Sequence, residues 1–133
     1  MNEIGKQNRC LLLLGSNVER EKNMDAAVKW LRDIFDRICF SERIPTLPVG
    51  KTEGVPPYLN QLAIGYTSLG KEELKASLKQ FEKEMGRRSE DKEVGRIIID
   101  IDLLKWNEEL LKPEEIQREY VQSCLQSFPS DCS

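Results

Sequence analysis

The segment Ile97-Ile98-Ile99-Asp100-Ile101-Asp102-Leu103-Leu104 restricts the possible folds more than any other part of the chain. Residues 96–105 are its most β-rich stretch, and side chains alternate across a strand. Alternation places Ile97, Ile99, Ile101 and Leu103 on one face, which must be covered, and Asp100 with Asp102 on the other. Two residues apart on a strand, the Cα atoms lie roughly 6.5 to 7 Å from each other. Both carboxylates can then address one cation or a pair of cations, and they repel each other unless something positive sits between them. Acids near a strand end that are solvated or paired with lysines are the ordinary alternative.

The remaining elements follow from periodicity. Cys10 and Leu11 to Leu14 form an apolar run stopped by Gly15-Ser16-Asn17, the pattern of a buried strand leaving into a turn. Ala27, Val28, Leu31, Ile34 and Phe35 recur at helical spacing within residues 21–35, and Leu74, Leu78, Phe81 and Met85 do so before Gly86. Residues 38–44 and 58–67 alternate as strands, separated by a loop that holds four of the six prolines. Residues 86–95 are charged and almost without apolar side chains, which predicts a surface loop. The order strand, helix, strand, strand, helix, strand predicts an α+β, ferredoxin-like βαββαβ sandwich. In it a four-stranded antiparallel sheet carries two helices on one face and leaves the other available. At 133 residues the chain suits one domain, with a core over residues 10–106 and a divergent acidic tail over 107–133.

Composition removes several chemistries. There is no histidine, so a Ser-His-Asp triad is excluded and any metal site must be built from oxygen ligands, which favours magnesium or calcium. Cys10, Cys39, Cys124 and Cys132 match neither a CxxC pair nor zinc spacing, and read as reduced, idle thiols. The net charge of −3 argues against a nucleic-acid partner held by phosphate neutralisation. The net negative charge lies after residue 106, where six acidic side chains face two basic ones. No apolar run approaches the roughly 18 to 20 residues of a membrane span, and the N-terminus lacks a signal-peptide pattern, so the chain reads as cytoplasmic and without a membrane partner.

Three further groups have chemical potential. Gly15-Ser16-Asn17 could present backbone N–H groups to a phosphate, or could simply be a turn with a helix cap. Arg87, Arg88, Lys92 and Arg96 lead towards the Asp pair and could meet a phosphate chain, although Glu90, Asp91 and Glu93 oppose them. Tyr58-Leu59-Asn60 offers an aromatic face beside an amide, a combination suited to a flat heterocycle.

In this order the pieces resemble the 6-hydroxymethyl-7,8-dihydropterin pyrophosphokinase family of folate biosynthesis. The resemblance rests on Leu14-Gly15-Ser16-Asn17, residues 45–50, Tyr58-Leu59-Asn60, Glu82 through Gly86-Arg87, and Asp100-Ile101-Asp102-Leu103-Leu104. It implies transfer of diphosphate from ATP to a pterin hydroxymethyl group with release of AMP, using two magnesium ions. It further implies that Asp100 and Asp102 bind the magnesium and that Thr46 and Val49 contribute backbone hydrogen bonds to the pterin. By the same resemblance Tyr58 stacks on the pterin, Asn60 reads its edge, and Glu82, Arg87, Arg88 and Leu103 serve the nucleotide. Arg87 and Arg96 join the two aspartates as catalytic candidates.

The chain departs from the family pattern in places. Ile97 stands where the family has an arginine, so Arg96 substitutes only if a bulge or the loop end re-aims it. Val94 stands where the family has a tryptophan. After the last core strand the family continues into a segment with further basic residues and an aromatic ring, which residues 114–119 do not resemble, so the chain reads as a short, C-terminally truncated member. The alternative functional reading is a ferredoxin-like pterin- and metal-binding or regulatory module that does not turn over. An RNA-binding sheet is disfavoured because its open face would carry acids in place of stacked aromatics.

Overall fold

A run of four leucines without a polar residue suits a strand covered on both faces, and that is where Leu11, Leu12, Leu13 and Leu14 lie. The computed structural model describes residues 7–47, 56–88, 90–91, 95–129 and 132. Strand β1 (Asn8–Ser16) leads to helix α1 (Arg20–Ile34), strands β2 (Arg37–Phe40), β3 (Ile44–Thr46) and β4 (Tyr58–Thr67), and helix α2 (Lys71–Glu84). Strands β5 (Asp100–Trp106) and β6 (Glu109–Leu110) and the short helices α3 (Pro113–Ile116) and α4 (Glu119–Gln126) follow. The sheet is antiparallel in order β2-β4-β1-β5-β6, with β3 also paired to β4.

Helices α1 and α2 bury their apolar stripes on one face. Met24, Ala27 and Leu31 from α1 and Leu74, Leu78 and Phe81 from α2 meet Leu12, Leu14, Ala63, Ile99, Ile101 and Leu103. The Trp30 and Phe81 rings stack between the helices at 4.3 Å between centroids. Leu11, Leu13, Leu62, Ile64 and Leu104 face the opposite way and are covered by Val121 and Cys124 of α4, with Ile116, Tyr120, Leu125 and Phe128 around them.

Several expectations are corrected here. Among the described residues the sheet has six strands and not four, and four helices of four or more residues accompany it. Its second face is only partly open among the described residues, because α4 covers part of it. The acidic tail is part of the core: its apolar residues Ile116, Tyr120, Val121, Cys124, Leu125 and Phe128 share one side, a signal obscured by the glutamates between and before them. The strand expected over residues 38–44 breaks into β2 and β3. From Phe40↔Ala63 to Ile44↔Asn60 the edge carries one residue more than β4. Ser41 fills that irregularity: its N–H donates to the Leu62 carbonyl, and its hydroxyl accepts from the Leu62 N–H at 2.9 Å.

Two departures concern the last long strand. It begins at Asp100 and not at residue 96, because Asn17 holds the preceding residues outside the ladder. The Asn17 Nδ2 donates to Gly95 O at 2.6 Å, and its Oδ1 accepts from the Ile97 N–H at 2.8 Å. Ile98, rather than Ile97, therefore packs on the helix-side core. A register shift opposite Leu11 and Leu12 then leaves Leu104 as an extra residue, whose carbonyl accepts from both Leu111 and Lys112. The shift reverses the alternation and turns Trp106 to the helix side.

The expectation of idle thiols fails for two of the four cysteines. Cys39 and Cys132 form a disulfide across 93 residues, while Cys10 and Cys124 are free and buried. Cys39 pairs with Ile64, so it faces the side covered by α4, and the chain after α4 returns to it. Spacing could not show this, since the contact depends on α4 crossing the sheet. In the chain-entropy view, closing so long a loop contributes on the order of 4 kcal/mol.

Gly65, opposite Cys10 and Ile38, offers a test of the packing. A Cβ built on it lies 2.6 Å from two carbons of the Phe35 ring, which rests directly on the strand backbone. Gly65→Ala is expected to cost about 1 to 3 kcal/mol through overpacking, read as a lower denaturant midpoint with an unchanged slope.

Candidate functional site

The sheet register brings the candidate residues together. Gly15 of β1 lies between Asn60 of β4 and Asp100 of β5, and Leu13 lies between Leu62 and Asp102. From these two cross-strand rows Asn60, Gly15, Asp100, Leu13 and Asp102 form the floor of a cleft of about 1010 Å³. The cleft is lined by Tyr58 and Asn60 at one side and by Asp100, Asp102 and Arg87 at the other. Gly15 leaves the middle of the floor low: a Cβ there would stand 3.5 Å from the Asn60 Oδ1.

The order of the acidic side comes from the end of α2. Gly86 takes φ 101°, a left-handed conformation that glycine adopts without steric cost, and turns the chain back over β5. Arg87 Nη1 then donates to Asp100 Oδ1 at 2.7 Å and to Glu82 Oε1 at 2.9 Å. The other Glu82 oxygen accepts from the Ile101 N–H at 2.8 Å, which satisfies a strand amide beyond the reach of β6. Glu82 is only 4% exposed, and burial raises its pKa against the pull of the Ile101 N–H and Arg87.

Asp102 is held more loosely. Lys112 Nζ is 3.4 Å from its carboxylate. Burial and then the neighbouring Asp100 carboxylate push the Asp102 carboxyl up to about 6, with Lys112 acting in the other direction. A carboxylate pair in a half-buried cleft in which Asp102 is costly to ionise is short of positive charge, and its oxygens are hard donors. This donor set fits magnesium. That ion is typically held by one or two carboxylates together with substrate phosphates, not by an all-protein cage, and no cluster of three or more acidic, Cys or His ligands occurs among the described residues.

At the other side of the cleft, Asn60 Nδ2 donates to Thr46 Oγ1 at 2.8 Å and to the Ile44 carbonyl at 3.2 Å, so β3 sets the orientation of the amide. Burial is the main cause of a raised Tyr58 pKa, with Asp100 adding to it. The phenol therefore stays protonated at neutral pH and the ring presents a neutral face.

The structure sorts the remaining candidates. Thr46, Tyr58, Asn60, Arg87, Asp100 and Asp102 line the cleft. Glu82 does not; it lies behind Arg87, with both oxygens engaged. Arg88 is 66% exposed and pairs with Asp91. Arg96 is exposed and outside the cleft lining, so its chain position does not bring it to the Asp pair. The Leu103 side chain is in the helix-side core, on the strand face opposite Asp102, and does not line the cleft. Val49, Lys92 and Val94 lie outside the described residues. Asn17 serves the segment of residues 95–97 and neither caps α1 nor faces the cleft.

The cleft also has a wall that motif reading missed. Lys112, Glu114, Glu115, Arg118, Glu119 and Tyr120 line it from the C-terminal segment, and Lys79 lines it from α2. Arg118 pairs with Glu115 at 3.1 Å, and the Tyr120 hydroxyl donates to the same carboxylate at 3.4 Å. Burial and Glu115 push the Tyr120 phenol up to about 12. Lys79 had a weak signal in sequence, one helical turn before Glu82; the others had none, because they reach the cleft only once the chain after β6 folds back along the sheet.

Two outcomes follow from this electrostatics. Between the ordinary carboxyl pKa and about 6, the folded state binds more protons at Asp102 than the unfolded state, so this group makes stability fall as pH rises through that window. Asp102→Asn is expected to flatten that slope and to stabilise the metal-free protein at pH 7 by about 1 to 3 kcal/mol, read from unfolding curves at pH 4.5 and 7. Glu82→Ala is expected to destabilise by about 3 to 5 kcal/mol, because it strands Arg87 and the Ile101 N–H, with the loss measured in the same curves.

Comparison with known proteins agrees in extent with the fold. The family model described as 7,8-dihydro-6-hydroxymethylpterin-pyrophosphokinase (HPPK) matches residues 11–129. The match extends past Trp106, where the sequence resemblance ended, and takes in the α3 and α4 wall. No curated protein matches the chain. With nearly its whole length matched, from the second residue of the apolar run to the residue after Phe128, the chain belongs to the 7,8-dihydro-6-hydroxymethylpterin-pyrophosphokinase family.

Proposed function

We propose that the cleft transfers diphosphate from ATP to 6-hydroxymethyl-7,8-dihydropterin, releasing AMP. The observation that carries this reading is the single row Asn60, Gly15, Asp100 across the sheet, which joins a site for a flat heterocycle to a site for a charged phosphate chain. Tyr58 supplies a neutral aromatic face for the pterin. Asn60, oriented by Thr46, supplies hydrogen bonds along the pterin edge. The pterin hydroxyl oxygen forms a bond to the β-phosphorus of ATP, the bond from that phosphorus to the α-phosphate oxygen breaks, AMP leaves, and the hydroxyl proton is lost.

Asp100 and Asp102 would hold magnesium, two ions with ATP, and when bound these supply charge neutralisation for the phosphates. Arg87 keeps Asp100 aimed into the cleft, and its other bond to Glu82 fixes its own position. Lys112 and Lys79 add cationic charge along the cleft, where the triphosphate would lie. The chemistry needs in-line positioning and charge stabilisation and no covalent nucleophile, which suits a chain without histidine.

The test is AMP release from ATP, with magnesium and 6-hydroxymethyl-7,8-dihydropterin. Asp100→Asn and Asp102→Asn are each expected to lower turnover by about 10²- to 10³-fold. Tyr58→Ala is expected to raise the pterin KM about tenfold or more through the lost stacking surface. Magnesium with a non-hydrolysable ATP analogue should also raise the melting temperature of the native protein but not of Asp100→Ala. Pterin-dependent stabilisation with no nucleotide-dependent one, and no AMP, would leave a binding module in place of an enzyme.

A further inference from the structure

We propose that the Cys39–Cys132 disulfide is a redox tether: it holds the α3–α4 wall of the cleft on the sheet, and its reduction frees this wall while β1, β4 and β5 stay folded. Helix α4 has eight residues, too few to persist alone, so its place depends on what fastens it. Of that helix Val121 and Cys124 are buried, and Tyr120 and Leu125 are partly buried against them. Beyond it, Ser127 accepts from the Glu42 N–H at 3.0 Å, and the disulfide then joins Cys132 to edge strand β2.

The other end of the wall has a built-in pivot. Leu111 and Lys112 both donate their N–H groups to the Leu104 carbonyl, at 2.9 and 3.2 Å, so the chain stays fixed to β5 up to residue 112. Glu114, Glu115, Arg118, Glu119 and Tyr120 lie between this pivot and the disulfide. Releasing the bridge therefore frees one whole side of the cleft and leaves the floor in place, whatever ligand the cleft takes. The central strands keep support of their own, since β1 is paired along its length with β4 and β5 and α1 and α2 cover the face that α4 does not.

The step is an ordinary thiol–disulfide exchange. A dithiol such as dithiothreitol gives two electrons and two protons, the S–S bond breaks to two thiols, and the reductant leaves as its cyclic disulfide. A reducing compartment favours the open wall and an oxidising one the tethered wall.

The two free cysteines make the proposal measurable. Cys124 is on α4 and Cys10 is on the central strand β1, and both are buried. In the oxidised protein neither should react with iodoacetamide. In the double variant Cys39→Ser with Cys132→Ser, and in wild type reduced with dithiothreitol, Cys124 is expected to be labelled at least about tenfold faster than in the oxidised protein, while Cys10 stays protected. Amide exchange over residues 119–126 should rise in the same samples while that of residues 58–67 does not. If Cys124 remains as protected as before, the bridge does not hold the wall; if Cys10 is labelled as fast as Cys124, the bridge holds the whole domain together. Either result overturns the proposal. Because the readout uses no substrate, it stands or falls separately from diphosphate transfer.

Discussion

The Arg87 guanidinium, placed between the Glu82 and Asp100 carboxylates, is the interaction on which the rest of the site depends. It ties the end of α2 to the start of β5, and through Glu82 it reaches the strand backbone at Ile101. A mostly buried arginine between two acids offsets part of their charge, and Glu82 is further satisfied by the Ile101 N–H. The arrangement also has a direction: one oxygen of Asp100 is occupied by Arg87, while Asp102 is left with a single lysine 3.4 Å away. The protein thus keeps a carboxylate pair whose negative charge is incompletely balanced, and does so at a place where three strands converge on Gly15.

Building such a site on a sheet has a geometric advantage. Neighbouring strands are about 4.8 Å apart, so the two cross-strand rows set the spacing from Asn60 to Asp100 through the ladder itself, without help from loops. Helices α1 and α2 stiffen this floor from behind. The front is different: it is closed by the short helices α3 and α4, held by a few buried side chains and a disulfide. A rigid floor with a lightly fastened wall is an arrangement in which ligand access and site geometry can be controlled separately.

Much of the floor could be read from residue types. A strand with acids at alternate positions among isoleucines and leucines can be accommodated only with one face in a core and the other in a cleft, and Asp100 and Asp102 do line the same cleft. Tyr58 and Asn60 were visible because an aromatic and an amide open a strong strand after a proline-rich loop. Leu103 and Arg96 show the limit. For Leu103, alternation already placed the side chain in the core, and the motif gave it a nucleotide role that its side-chain position does not serve. For Arg96 the relevant fact is the fastening of residues 95–97 by Asn17, a contact nearly 80 residues away in the chain.

The sequence by itself determined the elements that local periodicity encodes: the doubly buried β1, two amphipathic helices, the acidic strand, and the absence of any imidazole chemistry. Tertiary structure alone decided the two register shifts, the side of the sheet that the acidic C-terminal segment covers, and the joining of Cys39 to Cys132. The physical reason is range. Strand and helix patterns repeat within a few residues, so one segment carries its own evidence, whereas a bulge, a folded-back helix or a disulfide across 93 residues exists only when distant segments compete for the same surface.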